Sequence, residues 1–285
     1  MPTSAQRPQR RNSSGLARDI EVLELLGGSE ADQGNGLGVV RIAQLTGRDK
    51  GVISRTLATL GDAGLVDRDP ETLNYRLGAR LFTLAARTAE SNLVRRSRDH
   101  LRRIAQATRE TSHLCVLRGG NVLTLVSELS PYEFRTTGWE GVTTAAWRTP
   151  SGRVLISDWT PEALEEWYAV HGHDEAIVGP LDPVMARAGL SVLAQPPRER
   201  AVVTDFSSLQ AELARVRKRG YATLEEELEL GVVGVSAPVR DFNGRIVAAI
   251  NVSAPSSRMG HQLPKLGEFV VQAAAELSKQ LGEAA

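Results

Sequence analysis

The sequence predicts an α+β protein of two domains, an N-terminal winged helix-turn-helix and a C-terminal antiparallel sheet covered by helices. The 285 residues exceed the ~100 to 200 of one typical domain. Apolar residues recur at helical spacing around a turn glycine in the first 80 residues, and two hairpin patterns follow later. Apolar residues make up 41% and charged residues 24%, which indicates a folded chain.

Charge and cysteine content exclude several classes of protein. The 34 basic residues balance the 34 acidic residues, so a nucleic-acid surface must come from local clustering. The lone Cys115 excludes an intrachain disulfide and a multi-cysteine zinc site. No apolar run approaches the ~20 residues that span a membrane. We therefore expect a cytoplasmic protein with no membrane partner and no cofactor.

The expected domains follow from shifts in composition. Residues 1–14 predict a disordered basic tail, 15–78 the winged helix-turn-helix, 79–97 a linker helix, and 98–285 the second domain. Leu16, Ile20, Leu23 and Gly27 fall on one stripe at helical spacing, which predicts the first helix.

Two short helices around Gly47 form the predicted helix-turn-helix. Ala43, Gly47 and Ile53 have the spacing of a helix crossing, a left-handed turn and a core anchor. Asp49 suits the start of the second helix. A stripe of Ile53, Leu57 and Leu60 turns the other face toward solvent. That face contains Arg48, Gly51 and Arg55, with Ser54 at its border.

A strand, turn and strand after the second helix predict a β wing. In the segment LVDRDPETLNYRLG we expect Val66, Tyr75 and Leu77 to point inward and Arg68 and Arg76 to point outward. The helical segment 79–108 then contains a basic run, which is interpreted either as a solvated face or as a surface near DNA phosphates. The basic residues are Arg95, Arg96, Arg98, Arg102 and Arg103.

Two hairpins predict the antiparallel sheet of the second domain. The strands lie at 111–117 and 122–129, and at 232–242 and 245–255, with a type I′ turn expected at Asn243-Gly244. Three helices are expected over the sheet: Pro161 to Tyr168 capped by Thr160, Leu209 to Arg219 ending at Gly220, and Leu266 to Leu281 with Phe269, Val270, Ala273 and Leu277 inward.

Candidates for catalysis and metal binding are weak. Ser151 lacks the G-x-S-x-G spacing of a hydrolase nucleophile. His171 and His173 could ligate a metal, but a polar loop explains them as well. Cys115 lies in an apolar strand and is interpreted as a core residue. We expect no catalytic residue and no metal site.

A binding pocket is better supported. Asn251 and Ser253 share one face of a strand, and polar side chains on a central strand need partners. Val232 and Gly234 point one way on the preceding strand, where Gly234 leaves space for a small acid or amide. The alternative is a hydrogen-bonded core pair beside a packed glycine.

The chain resembles the IclR family of bacterial transcription regulators through Arg18 with IEVLELL, IAQLTGRDKGVISRTLATLGDAGLVDRD and YRLG, and the resemblance runs from about Leu16 to Leu281. It implies that Lys50, Ser54 and Arg55 contact DNA and that the second domain is GAF-like and binds an effector. The implied pocket lies between the segment TTAAWRTPSGRVLIS and the last hairpin.

The resemblance also guides expectations about the effector. Amides of Ser151 and Gly152 at a helix start would favour a carboxylate. The nearby Trp139 and Trp147 suggest an aromatic acid, although tryptophans are more often core or interface residues.

The function expected is a sequence-specific DNA-binding transcription regulator whose operator affinity responds to a small, carboxylate-bearing effector. Its expected partners are a double-stranded DNA operator, the effector, and a second copy in a homodimer or dimer of dimers. The alternative is a metabolite-binding or hydrolytic enzyme in which the helix-turn-helix serves packing. The expected DNA contacts are Arg48, Lys50, Gly51, Ser54, Arg55, Arg68 and Arg76, and the expected effector contacts are Thr144, Trp147, Pro150, Ser151, Gly152, Val232, Gly234, Asn251 and Ser253.

Overall fold

The computed structural model describes residues 15–28, 30–31, 35–135, 139–179 and 198–282. The expected basic tail lies outside these residues. The described chain divides into two compact units, and the division falls after Thr88.

The first unit is a winged helix-turn-helix. Its elements are α1 (Gly15–Leu26), α2 (Val39–Thr46), α3 (Lys50–Asp62), β1 (Val66–Arg68), β2 (Tyr75–Leu77) and α4 (Ala79–Ala85). Gly47 ends α2 with φ 67°, a left-handed conformation that glycine adopts without strain. Ala43, Ile53, Leu57 and Leu60 are buried, as expected from their spacing.

The first helix is confirmed as α1, but the core buries a different apolar stripe from the one that predicted the helix. Leu16 is 67% exposed and Ile20 is also exposed, whereas Val22, Leu25 and Leu26 enter the core. Both stripes have helical spacing, and the sequence pattern alone does not tell which of them meets α2 and α3. The helix therefore keeps a second apolar stripe at the surface of this unit.

The wing is an antiparallel hairpin that is extended by one residue from the loop before α2. Val66 pairs with Leu77, and Leu37 bridges Tyr75 on the other side of β2. The inward orientation expected for Leu77 is wrong, since its side chain is 42% exposed. Leu77 lies against Gly27, which has no side chain to cover it.

Residues 79–97, which were expected to form one linker helix, contain the last helix of the first unit and the beginning of the first helix of the second unit. Helix α4 ends at Ala85, and a turn leads into α5 (Ala89–Thr108), which belongs to the second unit. Leu101 and Ile104 of α5 are buried in that unit.

The second unit contains a seven-stranded antiparallel sheet with the strand order β6-β5-β4-β3-β9-β8-β7. The strands are β3 (Thr111–Arg118), β4 (Asn121–Glu128), β5 (Thr143–Thr144), β6 (Ile177–Gly179), β7 (Ala222–Glu225), β8 (Val232–Arg240) and β9 (Ile246–Pro255). Both predicted hairpins are confirmed as the pairs β3–β4 and β8–β9. The α+β fold class is therefore confirmed.

The turn of the second hairpin differs from the expected type I′. Gly244 has φ 76° but Asn243 does not have a positive φ. The Gly244 amide donates to the Asp241 carbonyl at 3.0 Å, and the Asp241 amide donates to the Arg245 carbonyl at 3.0 Å. This is a three-residue loop with a left-handed glycine. The Asp241 carboxylate accepts from the Asn243 amide and thereby favours this loop.

Helices cover both faces of the sheet and form two cores. Helix α5 and the C-terminal α10 pack on one face, and α6, α7 and α8 pack on the other. The bounds are α6 (Pro150–Leu155), α7 (Pro161–His171), α8 (Phe206–Arg219), α9 (Ser256–Met259) and α10 (Leu263–Gly282), with 3-10 turns at Ala146–Arg148, Arg198–Arg200 and Gly260–Gln262. Thr160 caps α7 and Gly220 ends α8, as predicted.

One inward residue of α10 was predicted wrongly. Phe269 is 36% exposed, whereas Val270, Ala274 and Leu277 are fully buried. The sheet contacts a narrower stripe than the four predicted residues span. None of the helices in the described ranges has the length and apolar character needed to cross a membrane.

Candidate functional site

The exposed face of α3 gathers polar and basic residues at the start of the helix. Lys50, Gly51, Ser54 and Arg55 are all exposed, opposite the buried stripe. Within the described part of the chain, Lys50, Ser54 and Arg55 have no side-chain partner other than solvent. The exposed Val52 also belongs to this face, and sequence reasoning missed it because an apolar residue there was not expected to face solvent.

Asp49 fixes the start of α3. Its carboxylate accepts hydrogen bonds from the amides of Gly51 at 2.8 Å and Val52 at 3.3 Å. An acidic N-cap satisfies amides that the helix itself leaves unpaired. The cap therefore holds the first turn, which carries Lys50 and Gly51, in one orientation.

Two arginines expected on the DNA-contacting surface are occupied inside the first unit. Arg48 donates to the Arg18 carbonyl at 2.7 Å and pairs with the Glu21 carboxylate. Arg76 donates to Asn35 at 3.2 Å, and its guanidinium lies 3.6 Å from the Asp69 carboxylate. These contacts stabilise the turn and the wing, so both residues are weaker candidates than Lys50 and Arg55.

The wing presents one further cation. Arg68 is exposed, and its guanidinium lies 5.5 Å from the centre of the Tyr75 ring. Such a stack orients the guanidinium without neutralising its charge. Arg68 therefore remains a candidate contact.

A pocket lies in the second unit, beside the sheet and α6. Its volume is about 70 Å³, several times the ~10 to 15 Å³ that one water molecule requires. Of the nine residues expected from the sequence, those that line it are Thr144, Pro150, Ser151, Val232, Gly234, Asn251 and Ser253. The lining residues outside that set of nine are His113, Cys115, Val122, Thr124, Trp139, Thr149, Leu224, Leu228, Glu229 and Val233.

Gly234 creates part of this space. It lies opposite Ser253 in the β8–β9 ladder. A Cβ at this position would lie 3.3 Å from the ring of Pro150 and 3.6 Å from Oδ1 of Asn251. A larger side chain would therefore occupy the space between α6 and the strand.

A chain of hydrogen bonds orients Asn251. The hydroxyls of Ser151 and Ser236 lie 2.9 Å apart, and Ser236 donates to Oδ1 of Asn251 at 2.9 Å. Because Oδ1 accepts from Ser236, the amide nitrogen Nδ2 is left as a donor on the pocket side, and the structure gives it no partner among the described residues. The asparagine is thus held as a donor toward the cavity.

His113 organises the other side of the pocket. Its Nε2 lies 2.8 Å from the Ser253 hydroxyl, and its Nδ1 lies 2.8 Å from the Ser127 hydroxyl. Complete burial lowers the pKa of His113 to about 4, so the imidazole is neutral near pH 7. The sequence offered a signal, since a histidine interrupts an apolar strand on the face that Cys115 shares.

Two expected effector contacts lie outside the lining. Trp147 is buried in the core beneath α6 and α7, and Arg148 stacks on its ring. The amide of Gly152 donates to the Thr149 hydroxyl at 3.1 Å. A Cβ at Gly152 would collide with the backbone of Ala146, so close packing explains this glycine. Of the two helix-start amides expected to bind a carboxylate, that of Gly152 is therefore already occupied.

The ionisable groups of the pocket are unusual for an anion site. Among the described lining residues there is no lysine or arginine, and the lining includes Glu229. Burial raises the pKa of Glu229. Burial likewise raises the pKa of the Cys115 thiol, which keeps it protonated and unreactive.

The weak chemical candidates have structural roles. Ser151 bonds to another serine rather than to a base. His171 pairs with Asp174 at 2.7 Å, and Asp174 accepts from Asn121 at 2.9 Å. No cluster of three or more potential metal ligands occurs in the parts of the chain that the structure describes.

Two domain descriptions of a single family match the chain. The IclR helix-turn-helix domain matches residues 15–70, and the C-terminal domain of the bacterial transcriptional regulator IclR matches residues 186–279. Together they account for more than half of the 285 residues.

Relatives extend the similarity over nearly the whole chain. The HTH-type transcriptional regulator BhcR of Paracoccus denitrificans is 29% identical over 92% of this chain and 85% of its own length. The glycerol operon regulatory protein of Streptomyces griseus is 28% identical over 95% of this chain and 98% of its own.

Solved structures show the same fold. IclR of Thermotoga maritima superposes with a TM-score of 0.68 at 23% identity, covering 94% of this chain and 98% of that one. An IclR homologue of Microbacterium hydrocarbonoxydans in complex with 4-hydroxybenzoate gives a TM-score of 0.71 at 23% identity, covering 95% and 100%. The matches of both domains, read with the winged helix-turn-helix and the pocket of the sheet domain, show that the chain belongs to the IclR family of bacterial transcriptional regulators.

Proposed function

We propose that this regulator binds a double-stranded operator through the first turns of α3. The observation that supports this most is that Lys50 and Arg55 are exposed and have no side-chain partner among the described residues, whereas Arg48 pairs with Glu21. An exposed arginine on a helix that enters the major groove reads guanine through two hydrogen bonds. Gly51 leaves the helix backbone open beside Arg55, whose guanidinium lies 3.8 Å from where a Cβ would be.

Other residues of the unit supplement these contacts. Ser54 donates to a base or a phosphate, and Val52 packs against a thymine methyl group. Arg68 on the wing contacts the phosphate backbone, which positions the domain but carries no sequence information. Arg48 and Arg76 act indirectly, by holding the turn and the wing in place.

We infer that two copies act together. The Leu16 and Ile20 stripe of α1 is exposed, as are Phe82 and Leu84 of α4, and burying such apolar surface against a second copy stabilises a dimer. Two-fold symmetry then predicts a nearly palindromic operator. A dimer of dimers stays a prediction.

The pocket binds the effector, and the effector acts on DNA affinity by linkage. A ligand that favours one placement of the two DNA-binding units changes operator affinity by its differential affinity for those placements. The sequence leads us to expect a carboxylate, and a structural neighbour binds 4-hydroxybenzoate. A sequence relative regulates a glycerol operon, so this fold also occurs in the control of genes for an uncharged molecule.

A hydrolytic enzyme is less well supported. Ser253 and His113 form a serine–histidine pair, but Ser127 rather than a carboxylate lies against the far nitrogen of the imidazole. A carboxylate at that position would orient the base and stabilise the imidazolium. We therefore favour binding without turnover.

Replacing Arg55 by Ala tests the DNA interface. We expect operator affinity to fall by ~1 to 3 kcal/mol with the fold unchanged, because an exposed base-reading arginine is lost. Arg55→Lys retains the charge but not the bidentate donor geometry of arginine, so we expect it to lose nearly as much operator affinity. Gel-shift titration of a specific and a scrambled duplex measures both variants.

The control for net charge is Lys265→Ala, which removes one exposed positive charge from the second unit. It is expected to leave operator affinity unchanged. If Arg55→Lys binds like the wild type, Arg55 contacts phosphate rather than a base. If Arg55→Ala also binds like the wild type, α3 does not read the operator.

A further inference from the structure

The pocket has few polar groups left for a ligand. The hydroxyls of Ser151 and Ser253 already bond to Ser236 and His113. The side-chain groups of the lining without a protein partner among the described residues are Nδ2 of Asn251, the indole N–H of Trp139, the Thr144 hydroxyl and the Glu229 carboxylate. A ligand must therefore meet two N–H donors, a hydroxyl and an acidic acceptor.

Glu229 disfavours the binding of anions in the pocket. Burial raises its pKa, and no described lining residue offers a cation to compensate its charge. A ligand carboxylate would face a like charge in a partly desolvated space, where repulsion is screened poorly. If Glu229 instead binds a proton to admit the anion, that proton uptake weakens binding at neutral pH.

We propose that the pocket selects uncharged molecules that carry hydroxyl groups, and that Glu229 is the residue that discriminates against carboxylates. A hydroxyl both donates and accepts, so it satisfies Glu229 as an acceptor and Asn251 as a donor. Its donation to Glu229 supplies the hydrogen bond that the half-buried carboxyl lacks. This inference rests on the proposed function of the pocket and names the ligand class.

The loop that contains Glu229 is held in place by the contacts of Glu227, so the Glu229 carboxyl group stays beside the cavity. It follows Glu227, whose carboxylate binds both terminal nitrogens of the buried Arg153 at 3.2 and 2.7 Å. The same carboxylate of Glu227 accepts from the Val202 amide at 3.1 Å. The backbone two residues before Glu229 is therefore anchored to α6, and the loop cannot readily carry Glu229 away from the cavity.

Matched pairs of alcohols and acids test the proposal by calorimetry on the full chain at neutral pH. The pairs are glycerol with glycerate, and 4-hydroxybenzyl alcohol with 4-hydroxybenzoate. For at least one pair we expect the alcohol to bind about tenfold more tightly than the acid. Glu229→Gln removes the charge with little change of shape. It should raise the affinity for the acid, so that the affinities for the alcohol and the acid of that pair differ by less than about threefold.

Glu225→Gln is the control, since Glu225 lies exposed on β7 outside the lining. It should leave the preference as in the wild type. Tighter binding of both acids by the wild type would overturn the proposal, as would an unchanged preference in Glu229→Gln or binding of neither member of either pair. Retention of a specific operator without ligand tests the proposed regulator separately, so an acid that binds and alters operator affinity would refute only the ligand class.

Discussion

Replacing Glu227 by Ala is expected to lower the free energy of unfolding of the second unit by ~3 to 5 kcal/mol, because the charge of Arg153 is left buried without a partner. The side chains of Arg153 and Glu227 are only 2% and 6% exposed, and their pair is bidentate. Arg153 also donates to the Trp147 carbonyl at 3.1 Å, so one guanidinium joins α6, the 3-10 turn before it and the β7–β8 loop.

Urea titration followed by tryptophan fluorescence measures this loss, since all four tryptophans lie in the second unit. Arg200→Ala is the matched control. It breaks the neighbouring pair of Arg200 with Glu226, in which the arginine is half exposed, and should cost below ~1 kcal/mol. Equal losses in the two variants would show that the buried pair does not anchor the loop.

Acidification is expected to destabilise the second unit through His113. The folded pKa of about 4 lies below the ordinary value of 6.5, so between these values the unfolded chain binds a proton that the folded chain does not. Stability from this group is therefore present above pH 6.5 and is lost as pH falls toward 4. The loss amounts to ~2 kcal/mol between pH 7 and pH 5, and ~3 kcal/mol over the whole window.

The variant His113→Gln removes the titrating group, and its unfolding free energy should fall less between pH 7 and pH 5 than that of the wild type by this same ~2 kcal/mol. His261→Gln, at an exposed histidine, should retain the wild-type dependence on pH. The same slope in His113→Gln as in the wild type would mean that His113 is not held neutral by burial.

Local signals predicted most of the fold. Gly47 and the Ile53, Leu57 and Leu60 stripe act within two turns of helix, so the sequence pattern identifies the helix-turn-helix. Each sheet hairpin likewise joins neighbouring segments. Where two apolar stripes compete, as with Leu16 and Val22 on α1, the choice depends on the packing of other helices and cannot be read from spacing.

The pocket was predicted less completely than the fold, because the side that contains His113 depends on how strand β3 is aligned with β9. His113 lies beside Asn251 across the β3–β9 ladder, although the two are far apart in sequence. Glu229 lines the cavity because the loop after β7 is anchored by Glu227, which no local pattern reveals. The glycine at 152 was read as part of an anion site, whereas contact with the backbone of Ala146 requires it.

The measurement that tests the central claim most directly is selection of genomic DNA fragments that the full chain retains against excess competitor DNA. We predict that retained fragments share an inverted repeat, with half-sites separated by about one helical turn or a multiple of it. Arg55→Ala should lose this enrichment. Retention of fragments without a common sequence, falling uniformly as salt rises, would show only electrostatic attraction to phosphate and would contradict the account.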